Sequence, residues 1–170
     1  MSTQTAYIGV GSNLAWLGQP PEAVVASAAR ALGRFGAVRL SPLYDSPSWP
    51  DPSNPPYVNA VLEVRTALSP FGLLVACQAV EAGFGRRRDP SDRNAPRTLD
   101  LDLLSVGDAV LRTPALTLPH PRLAARDFVL APLLDLSPDW RHPIGGKTAS
   151  TLLAKVAKSA VKRPKCDGAH

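Results

Sequence analysis

Two aspartates indicate the chemistry to look for. Asp100 and Asp102 lie two apart in the run TLDLDLLSV, alternating with Leu99, Leu101 and Leu103. In an extended strand the side-chain period is two, so both carboxylates point to the same side with their Cα atoms roughly 6.5–7 Å apart. Neighbouring carboxylates repel, and a cation relieves them. A bare Asp-x-Asp is most often a solvated strand face balanced by arginines, but the neighbourhood here shifts that reading. Arg86, Arg87, Arg88, Arg93 and Arg97 come just before the pair, in a loop containing Gly, Pro, Asp and Ser. Fixed positive charge beside two hard oxygen donors suits phosphate oxygens bridged to Mg²⁺, which binds through one or two carboxylates plus substrate phosphates. A metal–nucleotide site is the favoured reading.

A second anion patch is expected around Pro119-His120-Pro121 and Arg126, where the prolines stiffen the chain beside the histidine; a lone histidine is as often structural as functional. Tyr57 and Asn59 share one face of another alternating run. A phenol plane and a side-chain amide together fit a flat polar heterocycle, although a half-exposed strand face carries the same residues.

Charge narrows the partners. The net charge of +5 resides entirely in the last 24 residues, which contain all five lysines; before Lys147 the basic side chains are arginines and are balanced by acids. Any anion site in the body must then use Arg, His and backbone amides, and Arg suits fixed bidentate phosphate clamps. The basic tail reads as solvated surface rather than as a nucleic-acid site. Three other motifs are decoys. Gly9-x-Gly11 has Leu14 where a dinucleotide fingerprint needs glycine, Gly146-Lys147-Thr148 has Arg141 where a Walker A loop begins, and Cys77, Cys166 and the histidines lack zinc spacing. The cysteines read as free thiols of a reducing compartment, no stretch approaches a membrane span, and a cytoplasmic monomer is expected.

The elements that must position these groups follow from periodicity. At 170 residues the chain should form one domain over 1–170, with a basic helix and tail from about 147. Residues 5–11 read as a strand ending in a Gly-Ser-Asn turn. Pro20 and Pro21 open a helix whose Val24, Val25, Ala28, Ala31, Leu32 and Phe35 share a face, and Gly36 ends it. A strand over 37–44 precedes six prolines between Pro42 and Pro56, a density that predicts a long ordered loop. Residues 57–66 alternate as a third strand. Ser69 and Pro70 start a second helix, with Leu73, Leu74, Cys77, Val80 and Phe84 inward and Gln78 and Glu81 on its other side. A fourth strand over 98–106 turns at Gly107-Asp108 into a hairpin partner over 109–112. Helices are expected over 128–136 and 151–161, the latter bearing lysines. The order strand, helix, strand, strand, helix, strand is that of a ferredoxin-like βαββαβ α+β fold, an antiparallel sheet with helices on both faces.

Four segments in order, GVGSNL at 9–14, YVNAVLEVRT at 57–66, PRTLDLDLL at 96–104 and LTLPHPRLAARDFVLAPLLDLSPDW at 116–140, resemble the 6-hydroxymethyl-7,8-dihydropterin pyrophosphokinases of folate biosynthesis. The resemblance implies ATP as co-substrate, two Mg²⁺ ions, and transfer of the terminal pyrophosphoryl group to the pterin hydroxymethyl oxygen with release of AMP. It implies that Asp100 and Asp102 hold the metals and that Arg86 and Arg97 assist transfer. Gln78, Glu81, Arg88, Thr117, His120 and Arg126 match ATP-binding positions. Ser46, Pro47, Trp49, Tyr57, Asn59 and Phe128 match the pterin pocket, with Tyr57 and Phe128 sandwiching the ring and Asn59 reading its edge. Asn94 stands where the family often has tryptophan, and Pro121 where an aromatic residue often follows the histidine.

Two rivals remain at this point. An RNA-binding module should present stacking aromatics on its central strands, and 98–106 presents acids instead. Another metal-dependent nucleotidyl or phosphoryl transferase would differ in its product, pyrophosphate or ADP.

Overall fold

Strand β1 (Gln4–Ser12) lies between β4 (Tyr57–Thr66) and β5 (Asp100–Val106) and is antiparallel to both. The computed structural model describes residues 2–86 and 95–163. The register sets up everything that follows: Gly11 faces Asn59 on one neighbour and Asp100 on the other, and Gly9 faces Asp102. The two halves of the cleft therefore meet across one strand.

β4 matches the expected strand residue for residue, but its alternation does not mark an exposed side. Nearly all its side chains are buried, because helices cover both faces. On one face Ala6, Ile8, Val10, Val58, Ala60, Leu62 and Val64 meet helices α1 (Pro21–Leu32) and α2 (Pro70–Gly83). On the other, Tyr7, Val61 and Leu104 meet Leu130, Leu133 and Leu136 of α3 (Asp127–Leu136), with Trp140 and Leu152 of α4 (Ala149–Leu153) beyond. α1 buries Val24, Val25, Ala28 and Leu32, the stripe that its period demands. At its end a Cβ on Gly36 would lie 2.2 Å from the Arg65 carbonyl oxygen, so only glycine lets this turn press on β4. α2 begins where expected, its Gly72 N–H donating to the Ser69 hydroxyl.

Several expectations are corrected. The single strand over 37–44 is two pieces, β2 (Ala37–Leu40) and β3 (Tyr44–Ser46), both paired with β4. Pro42 has no N–H to continue the ladder. Ser41 makes the join instead: its N–H donates to the Val61 carbonyl and its hydroxyl accepts from the Val61 N–H. The strand over 98–106 begins only at Asp100. The segment after Gly107 does not pair with β5; β6 (Leu111–Arg112) pairs with β7 (Thr117–Leu118) in a separate ribbon closed by Thr113 and Leu116. Glu81 does not sit on the outer side of α2 but is buried. The helix expected over 151–161 stops at Leu153, and the chain extends into β8 (Val161–Lys162), which pairs with β3. The sheet order is β5-β1-β4-β3-β8, with β2 also on β4. The result is a mixed α/β architecture built on an antiparallel sheet. Among the described residues no helix is long and apolar enough to cross a membrane.

Candidate active site

The centre of the sheet opens into a cleft of about 500 Å³, floored by Gly9 and Gly11. Glycine in a strand interior costs stability and marks close approach of something to the backbone. Here a Cβ on Gly11 would meet the Asn59 Oδ1 at 3.3 Å and the Tyr57 ring at 3.6 Å. Its missing side chain makes room for both.

One end of the cleft is ionic. Asp100 and Asp102 line it together, as their period-two spacing requires. Arg86 bridges Glu81 and Asp100, and Arg97 Nη1 lies 3.3 Å from the second Asp100 oxygen. Arg126 Nη1 donates to Asp102 Oδ2 at 3.1 Å. Behind this layer Glu81 also accepts the Leu101 N–H at 2.7 Å, so one buried carboxylate ties α2 to β5 and aims Arg86. Burial alone would weaken the Arg86 charge, but Asp100 and Glu81 outweigh it and hold the guanidinium more firmly protonated than usual.

His120 stands beside this end. Its backbone N–H donates to the Leu104 carbonyl, and Nε2 lies 3.8 Å from Asp102 Oδ2. Burial pushes its imidazole below its ordinary value, with Arg126 and Arg122 adding to the effect against Asp102. Nδ1 accepts the Arg122 N–H, so the neutral ring carries its proton on Nε2, the nitrogen facing Asp102.

The other end is aromatic and amide-bearing. Tyr57, Asn59, Ser46, Pro47, Trp49 and Phe128 all line it. Asn59 is buried and donates to the Ser46 hydroxyl at 2.8 Å, a bond made possible because β3 places Ser46 beside Tyr57 in the register. Arg126 sits 5.5 Å from the Phe128 ring centroid, joining the two ends by a cation–π contact. Burial, with opposing influences from Arg97 and Asp100, raises the Tyr57 phenol; it stays neutral.

Of the residues singled out from the sequence, the cleft gathers the aspartate pair, Arg86, Arg97, Arg126 and all six of the heterocycle-binding set. His120 and Glu81 stand one layer behind. Gln78, exposed on α2, and Thr117, in β7, are not part of the lining. Arg88, like Arg87, Arg93 and Asn94, lies outside the described residues. Four further residues contribute. Arg122 lines the cleft, and Gly9 and Gly11 form its floor. Asn13 sews its loops together, bonding to the Arg97 backbone in both directions and to the Pro55 carbonyl. The glycines carried a signal, two small residues inside a strand, that the comparison with a dinucleotide fingerprint passed over.

Comparison with known proteins gives the family. The profile of the 7,8-dihydro-6-hydroxymethylpterin-pyrophosphokinase family matches residues 7–138, which hold every residue lining the cleft. This chain belongs to that family. A 2-amino-4-hydroxy-6-hydroxymethyldihydropteridine pyrophosphokinase of Pseudomonas aeruginosa is 42% identical over 162 residues, covering 94% of this chain and 96% of the relative. The protein of the same name from Synechocystis is 38% identical over 92% of this chain and 78% of its own. Among solved structures, a Plasmodium falciparum HPPK-DHPS triple mutant with pteroate superposes with a TM-score of 0.68 at 13% identity. It matches 91% of this chain, which spans 43% of the Plasmodium chain, so that likeness concerns the fold alone.

Proposed function

We propose that this pyrophosphokinase carries out its reaction in the cleft between β1, β4 and β5. ATP lies at the aspartate–arginine end and the reduced pterin at the aromatic end. The reaction moves the β,γ-pyrophosphoryl group of ATP to the hydroxymethyl oxygen of 6-hydroxymethyl-7,8-dihydropterin, with AMP leaving, a step of folate biosynthesis. The observation that carries this reading is the shared floor. Gly11 has Asn59 on one side and Asp100 on the other, so a ring read by Asn59 has its substituent directed toward the carboxylate pair.

The donor set fits Mg²⁺. Among the described residues no cluster of three or more His, Cys, Asp or Glu could cage a metal. Two carboxylates that leave the remaining positions to phosphate oxygens and water are what Mg²⁺ prefers. Asp100 and Asp102 would hold it, two ions in our reading, exchanging their arginine partners for the metal. When bound it would neutralise phosphate charge and polarise the hydroxyl to be phosphorylated.

The chain's own residues do the rest by position and charge. Arg86 and Arg97, displaced from Asp100, turn to the transferring phosphate oxygens. Arg126 holds the nucleotide phosphates while stacking on Phe128. His120, neutral, donates from Nε2 to a phosphate oxygen. Gln78 and Thr117, outside the cleft lining, and Arg88 would meet the part of the nucleotide that extends beyond the cleft. Glu81, by contrast, acts on Arg86 rather than on ATP. At the other end Tyr57 and Phe128 stack on the pterin, Asn59 reads its edge with Ser46 fixing the amide, and Pro47 and Trp49 form the rim. The loop 46–56 and Arg97, both tethered by Asn13, exclude water that would otherwise hydrolyse ATP. We read the fold as a single ferredoxin-like domain, β2 and β3 together filling the place of its second strand.

The test is product identity. Protein, Mg·ATP and the pterin alcohol should yield AMP and the pterin diphosphate in equal amounts; ADP, or no nucleotide turnover, would refute the proposal.

A further inference from the structure

The C-terminal segment does what neither its charge nor its expected helix foretold. Asp127, the first residue of α3, is 4% exposed and has no cationic partner among its hydrogen bonds. A buried carboxylate needs compensation. It comes from the tail: the N–H of Ser159, the N–H of Ala160 at 2.7 Å and the Ser159 hydroxyl at 3.1 Å all donate to Asp127, alongside the Phe128 N–H at 2.8 Å. Two backbone donors that would have served a helix are claimed by this carboxylate.

Beyond that anchor the tail crosses to the opposite wall. Lys162 faces Tyr44 in the β8–β3 ladder, and its ammonium meets Asp135, which also accepts from the Tyr44 hydroxyl, each at 2.7 Å. Arg163 donates its N–H to the Leu43 carbonyl at 2.9 Å and its Nε to Asp45 at 2.7 Å, with Glu22 3.5 Å from its other end. Burial would raise the Asp135 carboxyl, but the Lys162 and Tyr44 hydrogen bonds more than offset this and leave it below the usual range. The two ends of the strap thus adjoin the two walls of the aromatic pocket. Asp127 separates Arg126 from Phe128, and Tyr44 and Asp45 lead into Ser46 and Pro47.

We propose that Asp127 is a positioning residue for the pterin: through the strap 159–163 it holds Phe128 on one wall at a set distance from Ser46 and Pro47 on the other. This rests on the pterin reading of the pocket. Because none of the strap's bonds reaches Asp100, Asp102, Arg86 or Arg97, its loss should weaken pterin binding far more than ATP binding.

Asp127→Asn keeps the shape but turns an acceptor toward the tail amides into a donor; Arg163→Gln cuts the far end without touching α3. In the full-length variants, hydrogen exchange of peptides covering 43–49 and 126–130 should quicken by about tenfold or more. Calorimetry in the presence of Mg²⁺ and a nonhydrolysable ATP analogue should show the pterin Kd weakened about tenfold, and KM for pterin raised with it. The analogue's own Kd and kcat should stay within about twofold of the parent. A pterin Kd unchanged beside quickened exchange, or equal losses for both ligands, would overturn the inference, since a merely structural anchor predicts one or the other. If the parent protein itself bound no pterin, the reading of the pocket would fail. The exchange data would then still decide the strap: unchanged protection at 43–49 rejects it.

Discussion

Gly11→Ala separates function from stability in a way the cleft geometry makes quantitative. The added methyl would sit 3.3 Å from Asn59 Oδ1 and 3.6 Å from the Tyr57 ring, so the amide must give by a few tenths of an ångström. It has little freedom to do so, being held by the Ser46 hydroxyl at 2.8 Å and the Tyr57 carbonyl at 3.4 Å. Shifting it weakens a buried hydrogen bond, about 1 kcal/mol, and misaligns the groups that read the pterin edge by a similar amount. The misalignment predicts a rise in pterin KM of about fivefold to tenfold, at about 1.4 kcal/mol per factor of ten, while the weakened Asn59–Ser46 bond is a loss the free enzyme shares. Stability should scarcely change, because replacing a strand glycine recovers roughly 0.5–1 kcal/mol of chain entropy that offsets the strain. Gly9→Ala is the control: its methyl meets Leu104 at 3.5 Å and the Asp102 Cβ at 3.8 Å, ordinary contacts, so pterin KM should rise less than about threefold. Steady-state kinetics with each substrate varied, beside thermal melts, decide the matter. Equal effects of the two substitutions, or a Gly11→Ala enzyme with parental pterin KM, would refute the account of the floor.

Two further outcomes follow from the layer behind the cleft. Glu81→Gln removes the buried charge that faces Arg86 and should cost about 3 kcal/mol of stability. The arginine then leans on Asp100 alone, so kcat should fall while pterin KM holds; a variant with parental kcat would show that Glu81 does not aim Arg86. For His120, burial lowers the folded value below the ordinary 6.5, so the unfolded chain takes up the proton first. Its contribution is fully present above pH 6.5 and is lost as pH falls below that toward the depressed folded value. Urea midpoints measured from pH 7.5 to 5.5 should decline less steeply in His120→Asn than in the parent, and identical slopes would contradict the assignment.

The parts of the fold written in local pattern are legible in the sequence. β4 follows from unbroken alternation, α2 from the Ser69-Pro70 start, and the shared direction of Asp100 and Asp102 from the pleat itself. What was hidden depended on distant partners. Nothing local in 37–46 says that the Ser41 hydroxyl will take the Val61 N–H and restart the ladder as β3. A lysine-bearing run with good helix propensity gave way because Asp127 and the open edge of β3 offered its backbone better partners. An acid on a mostly apolar helix ordinarily faces water, and the Arg86 contact and the Leu101 amide are distant partners that make the burial of Glu81 tolerable. Tyr57 and Asn59 of the aromatic pocket are legible from their shared strand face and the rest of its lining from family resemblance, whereas the glycine floor and the Asn13 tether depend on contacts across the sheet that no local pattern announces.

The most direct test of the central claim follows the β-phosphorus. With ATP labelled at the β position, Mg²⁺ and the reduced pterin alcohol, every turnover should carry the label into the pterin product and leave unlabelled AMP. Label retained in the nucleotide, as ADP, would mean that the cleft between the aspartate pair and the pterin walls performs a different transfer.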